Sequence, residues 1–293
     1  MWTQGFGHRT TQRHPRLCRL NEDWQQILQA ENTLSSYEHI ELECEGGVAT
    51  LSLNEPKKLN AMDIPMLREL FEAVTQINED DSIRVAILAA RGRSFCAGAD
   101  LRSGLGPGRT TADHLNEDHR PVLLAIAEAP KPWISAVNGA AAGIGSAYAM
   151  NCDLTVMADD AYIYQAFASI GLIPDGGATW HLVNTLGRKR AYELIATGEK
   201  LPAERCLEWG LCNRVVPAGR LLEEVQRWAH ELASRAPLSL RYAKDAVRTA
   251  ATSDLPKTYD REVELQMLCT ESEDAKEGIR AFIQKRKPEF KGR

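Results

Sequence analysis

The 293 residues are 44% hydrophobic, enough for a large packed core, and a formal charge of −5 argues against a chain built chiefly to hold nucleic acid. Seven cysteines, odd in number, scattered and without a CxxC pair, offer neither a disulfide framework nor a zinc site and point to a reducing, cytoplasmic setting. No apolar run is long enough for a membrane-spanning helix.

The chain opens with Arg9, Arg13, Arg16 and Arg19 and no acidic residue before Glu22, which is the composition of an organelle transit peptide. No apolar face accompanies the arginines, so residues 1–36 are read as an N-terminal extension outside the fold. Within it Asn21 is placed to cap a peripheral helix over residues 23–32, with Trp24, Ile27 and Leu28 as a narrow stripe. Regular patterning begins at Ile40. Ile40, Leu42 and Cys44 alternate with Glu41 and Glu43, Gly46-Gly47 turns the chain, and residues 48–53 continue as the second strand of a hairpin. Asp63 then caps a helix with Pro65 in its first turn and Leu67, Leu70, Phe71, Val74 and Ile77 on its buried face.

Residues 85–89 form an apolar run of strand length that leads into the small-residue loop Phe95-Cys96-Ala97-Gly98-Ala99-Asp100-Leu101. The same grammar returns at residues 134–150: apolar strand, the turn signal Asn138-Gly139, then Gly143-Ile144-Gly145 opening a helix. A backbone N–H at such a helix start has no partner within the helix, and the helix dipole there favours negative charge. Two crossings of this kind aimed at one point would hold one oxyanion with backbone alone.

Between the crossings, residues 103–120 contain Gly104, Gly106, Pro107 and Gly108, then His114 and His119 among polar residues, and are read as a long surface loop or lid. Strands are expected at residues 154–158, 161–164 and 211–216, and helices at residues 187–197 and 202–209. From Arg220 onward only helices are predicted, so the pattern is an α/β core followed by an α-helical tail.

Several chemistries are poorly supported. Gly139, Gly143 and Gly145 do not fit GxGxxG, no Lys-Ser/Thr follows for a P-loop, there is no HExxH, and Ser135, Ser146 and Ser169 lack a GxSxG context. Asp175, in Ile173-Pro174-Asp175-Gly176-Gly177, has two readings: a helix N-cap, or a carboxylate set beside an anion site. Asp100 is read as a local cap, Cys96 and Cys152 as core fillers, and Trp180 and His181 as packing residues.

Asn60-Ala61-Met62, FCAGADL at residues 95–101, NGAAAGIGSAYAMNC at residues 138–152 with Asp153, residues 170–174, and GIRAFIQKRKPEF at residues 278–290 together resemble the enoyl-CoA hydratase/isomerase, or crotonase, family. The resemblance is closest to the branch that isomerises phenylacetate-pathway and unsaturated acyl-CoAs. It implies a ββα spiral core over residues 37–219, a helical C-terminal trimerisation region over residues 220–293, and a homotrimer or dimer of trimers. It also implies an acyl-CoA thioester substrate, with coenzyme A arriving as part of it and no tightly bound cofactor or metal. By match to the motifs, the N–H groups of Ala99 and Ile144 would hold the thioester oxygen. Lys58, Leu59 and Ala97 would border the CoA, and Phe282 and Lys285 would reach it from a neighbouring subunit.

Hydratases of this family carry two catalytic glutamates, and the positions aligned with them here are Ala147 and Phe167. Neither transfers a proton, which leaves Asp175 as the acid/base. Double-bond migration needs only one carboxylate to carry a proton from C2 to C4, together with an oxyanion hole. Hydration of an unusual acyl-CoA and acyl-CoA binding without catalysis are the alternatives.

Overall fold

The computed structural model describes residues 37–293, so the arginine-rich extension and the helix expected over residues 23–32 lie outside the described residues. β1 (Ile40–Glu45) and β2 (Val48–Leu53) form the predicted antiparallel hairpin, Ile40 opposite Leu53. Every residue of β2 is buried. α1 (Ile64–Glu79) starts where the Asp63 carboxylate accepts the Met66 N–H at 3.1 Å, and it buries Leu67, Leu70, Val74 and Ile77 as the spacing requires.

From here the chain advances by a repeated step, one strand in a larger sheet and the next in a smaller one. β3 (Val85–Ala90) is followed by β4 (Ser94–Cys96), and α2 (Arg120–Ala127) leads to β5 (Trp133–Val137) and β6 (Ala140–Ala142). After α3 (Ile144–Asn151) come β7 (Leu154–Ala158) and β8 (Tyr162–Tyr164). α4 (Ala178–Thr197), β9 (Lys200–Pro202), α5 (Ala203–Glu208) and β10 (Arg214–Val216) complete the core. The larger sheet has the order β1-β2-β3-β5-β7-β10 and the smaller β4-β6-β8-β9. Pairings from β2 to β10 are parallel, with Leu88 opposite Ser135 and Ser135 opposite Thr155. A mostly parallel sheet is covered on both faces, which is why β3 and β5 read as unbroken apolar runs rather than alternations. This is the ββα spiral that the resemblance implied.

α6 (Leu221–Ala233) lays Leu221, Val225, Ala229 and Ala233 against the core. α7 (Pro237–Ala250) is tied down by Lys244, whose Nζ donates to Asp153 Oδ2 at 2.8 Å and to the Ile126 carbonyl at 3.0 Å. α8 (Leu255–Glu271) and α9 (Glu273–Gln284) bury little, and Leu255, Tyr259, Met267, Ile279, Phe282 and Ile283 are exposed.

Three expectations are corrected. Residues 103–120 are not a surface loop throughout. Thr110 and Asp113 form a capping box, residues 114–119 wind as a π-helical turn into α2, and His114, Asp118 and His119 are buried. The polar letters hid an inward face of histidine and aspartate. The helix expected at residues 187–197 begins at Ala178 and breaks at Gly187, whose φ of 73° and ψ of 165° are not helical. The strand expected at residues 211–216 is confined to β10, because Leu211 and Cys212 pack in the preceding turn, where the Leu211 N–H donates to the Cys206 carbonyl.

Candidate active site

The two crossings meet, although the helix expected after the first is absent: residues 101–103 form a turn, so the Ala99 N–H does not stand at a helix start. Gly98 and Gly143 lie against each other: a Cβ placed on either would fall 3.8 Å from the Cα of the other. The Met62 N–H donates to the Gly98 carbonyl and the Asp100 N–H to the Met62 carbonyl, both at 2.8 Å, so the Ala99 peptide N–H between them points away from Met62. Ile144 is the first residue of α3, and its N–H has no helical acceptor. Among the described residues no acceptor takes the Ala99 or the Ile144 N–H. Gly143, at φ 52° and ψ −134°, holds a conformation open in practice only to glycine, and it turns the chain so that this peptide sits beside Gly98.

Asp175 is brought to this pair by Gly176. A Cβ on Gly176 would lie 2.7 Å from Ile144 Cγ1 and 2.9 Å from Ala147 Cβ, so the loop rests directly on the start of α3. The Asp175 carboxylate does not cap α4. The N-cap is Gly177, which uses no side chain, and it is the main-chain carbonyl of Asp175 that accepts the Ala178 N–H at 3.0 Å. Asp175 Oδ1 is buried without a hydrogen-bond partner. Burial raises the Asp175 pKa to about 6, opposed first by its own main-chain N–H and then by His114. Of the apolar neighbours the sequence offers, Ile170, Leu172, Phe167 and Trp180, the first two are more than half exposed, whereas Trp180 shares a cavity with Asp175, as do Leu115 and Met150.

That cavity has a volume of about 1070 Å³ and runs from Asp175 between α2 and α4 toward α7, with Leu123, Leu124 and Val247 farther along it. Ala99 and Ile144 do not line it; Ile144 packs on Gly176, the neighbour of Asp175 in the chain. Trp180 and His181 do line it, packed on each other with the rings edge to face at 5.0 Å. Burial lowers the His181 pKa to about 4.

A group that sequence reasoning did not place stands across the cavity. His119 lines it, is 1% exposed, and has Nδ1 3.2 Å from the Tyr148 hydroxyl while Nε2 is buried without a partner. Burial first, and the neighbouring His114 second, lower its pKa to about 3, so the ring is neutral at physiological pH. His114 Nδ1 is 2.7 Å from Asp118 Oδ2, which also accepts from Arg109 at 2.8 Å. The signal was available in the i, i+4 spacing of His114 and Asp118, hidden by the glycines before it.

The candidate CoA residues divide. Lys58, Leu59 and Ala97 are together, because the Leu59 carbonyl accepts the Ala97 N–H at 3.0 Å and Lys58 ends the short turn just before it. Asn60 secures this turn, donating to the Arg91 carbonyl at 2.9 Å and the Ser94 carbonyl at 2.8 Å. Phe282, 86% exposed, and Lys285 lie at the end of α9 and do not line the Asp175 cavity of their own chain. Ala147 and Phe167 are buried, and Phe167 Cζ would lie 3.8 Å from a Cβ on Gly143. Asp100 binds the Arg102 N–H locally and Cys96 and Cys152 fill the core, as expected. Among the described residues no group of three or more metal-ligating side chains is present.

Known proteins share this architecture and sequence. A 1,2-epoxyphenylacetyl-CoA isomerase of Escherichia coli is 39% identical over 253 residues, covering 85% of this chain and 97% of its own. A crotonyl-CoA hydratase of Syntrophomonas wolfei is 34% identical over 256 residues, covering 87% and 98%. The crystal structure of an enoyl-CoA hydratase from Bacillus anthracis superposes with a TM-score of 0.82 at 33% identity, covering 87% of this chain and all of that one. The family model described as enoyl-CoA hydratase/isomerase matches residues 43–293, and the chain belongs to that family of acyl-CoA-processing enzymes.

Proposed function

We propose that this protein is an enoyl-CoA isomerase, moving a double bond along an acyl-CoA thioester with Asp175 as its one acid/base. The observation that carries the reading is the Asp175 carboxylate: half-buried, free of any cap, with Oδ1 enclosed and unpartnered, on a loop whose next residue, Gly176, packs on the residue whose N–H is a candidate oxyanion donor. With a 3-enoyl thioester bound, the carboxylate takes the C2 proton. The C–H electron pair moves toward the thioester carbonyl, and the negative charge on its oxygen is held by the Ala99 and Ile144 N–H groups. Return of the proton to C4 moves the double bond from C3–C4 to C2–C3, and every atom of the substrate is kept. A pKa of about 6 suits the task, since the group is ionised at neutral pH and is more basic than an ordinary carboxylate.

The relatives bear both isomerase and hydratase names, so they do not choose between the reactions. The choice rests on Ala147 and Phe167, which leave no second carboxylate to activate water. One observation favours hydration as a second reading: the neutral His119, which lines the Asp175 cavity and whose buried Nε2 has no partner, offers a second proton-handling group beside Asp175. CoA binding at Lys58, Leu59 and Ala97, completed by Phe282 and Lys285 of a neighbouring copy in a trimer, belongs to the same proposal.

Purified protein given short 3-enoyl-CoA and 2-enoyl-CoA esters separates the readings. Conversion of the 3-enoyl to the conjugated 2-enoyl ester, with little addition of water to the latter, is expected. Dominant hydration would favour the second reading. Ester binding without turnover of either would favour a non-catalytic acyl-CoA-binding protein.

A further inference from the structure

Ser146 and Gln165 take no part in the proposed proton transfer, yet both are buried beside the start of α3, 0% and 1% exposed. The Ser146 hydroxyl donates to the Gly143 carbonyl at 2.7 Å, and the Ser146 N–H reaches the same oxygen at 3.0 Å. Gln165 Nε2 in turn donates to the Ser146 hydroxyl at 2.8 Å. The Gly143 carbonyl and the Ile144 N–H are the two ends of one planar peptide unit, pointing in opposite directions. Whatever grips the oxygen therefore aims the N–H.

We infer that Gln165 and Ser146 form a relay that orients and polarises the Gly143–Ile144 peptide, and so set the strength of the Ile144 N–H as an oxyanion donor. The inference rests on the proposed role of Ile144. Gly143 is the reason a clamp is needed: at φ 52° and ψ −134° it is free of the steric walls that would fix any other residue, so the plane of the following peptide is held from outside. The bonds run in one sense, from amide to hydroxyl to carbonyl, and each donation enhances the next. The Gly143 N–H is separately pinned to the Tyr164 carbonyl at 3.0 Å, so both sides of this glycine are secured. Gln165 stands immediately before Ala166-Phe167, which couples the second, glutamate-less catalytic position to the oxyanion peptide. Ser146 and Gln165 are positioning residues; neither is placed to touch the substrate.

The test is the thioester carbonyl stretch of bound butyryl-CoA, labelled with carbon-13 at that carbonyl and read by difference infrared spectroscopy, alongside kcat and KM for 3-enoyl-CoA isomerisation. Wild type is expected to shift the stretch to lower frequency. Ser146→Ala is expected to lose part of that shift and to lower kcat by about 10- to 100-fold with KM changed far less. Gln165→Met keeps the inner bond and is expected to give a smaller effect of the same sign, and it carries the test if Ser146→Ala does not fold. A merely structural role would lower thermal stability without moving the stretch. Variants with the wild-type stretch and kcat would overturn the relay alone. A wild-type protein that binds butyryl-CoA with no shift would overturn the Ile144 assignment and the relay with it.

Discussion

Gly176 stands on Ala147: a Cβ added to the glycine would come within 2.9 Å of the alanine Cβ, so the small side chain of α3 and the bare backbone of the Asp175 loop occupy one another's space. The Asp175 loop therefore packs closely on the face of α3 that carries position 147.

Ala147→Glu is accordingly expected not to create a hydratase. The added atoms must displace the Asp175 loop and bury a carboxylate without a partner, costing about 1–3 kcal/mol in overpacking alone. Denaturant unfolding and isomerisation assays of the variant check this: lower stability and reduced isomerisation are expected, with no gain in water addition.

Gly176→Ala probes the same contact with one methyl group. Its φ of 60° disfavours any side chain, and the new Cβ would meet Ile144 Cγ1 at 2.7 Å. Steady-state kinetics should show kcat reduced by about 100-fold if displacement of the loop carries Asp175 from its working position by about an ångström.

The burial of Asp175 has consequences for stability and rate that run in opposite directions. Its pKa rises from 3.8 unfolded to about 6 folded, so between these values the folded state holds the extra proton. Stability therefore falls as pH rises through that window, and the cost is fully present above it. Asp175→Asn removes the cost. Its melting temperature is expected to exceed that of wild type at about pH 7.5, with the two converging near pH 3.5. The proposed base works only when ionised, so kcat/KM of wild type should climb through a midpoint at about pH 6 to a plateau about one pH unit higher.

Lys244 offers a test remote from the chemistry. Its ammonium binds Asp153 and two main-chain carbonyls, those of Ile126 and Lys131, joining α7 to the loops that precede β5 and β7. Burial already raises the pKa of Asp153 against the pull of this lysine. Lys244→Met is expected to destabilise by about 1–3 kcal/mol, because it leaves the Asp153 carboxylate without its counter-ion and the Ile126 and Lys131 carbonyls without their donor. Lys244→Met with Asp153→Asn should recover part of the loss, as urea unfolding of the two variants would show.

The core was legible because its elements are strongly patterned. The hairpin at Gly46-Gly47, the Asp63-capped helix and the continuous runs of β3 and β5 follow from burial on one or both faces. The two crossings were legible from their small residues, since Gly98 and Gly143 mark places where backbones touch. The inward face of residues 114–119 was hidden, because its buried groups are His114, Asp118 and His119, polar residues that satisfy one another instead of forming an apolar stripe. The relay through Ser146 and Gln165 was hidden for a different reason. It joins residues on α3 and after β8 that only the pairing of β6 with β8 brings side by side.

The most direct measurement compares wild type with Asp175→Asn for conversion of a 3-enoyl-CoA to its 2-enoyl isomer, with butyryl-CoA affinity measured on both. The asparagine keeps the shape and cannot carry a proton between C2 and C4. Turnover is predicted to fall by about 10²- to 10⁴-fold while the affinity stays within a few-fold. Equal turnover in the two proteins would contradict Asp175 as the acid/base.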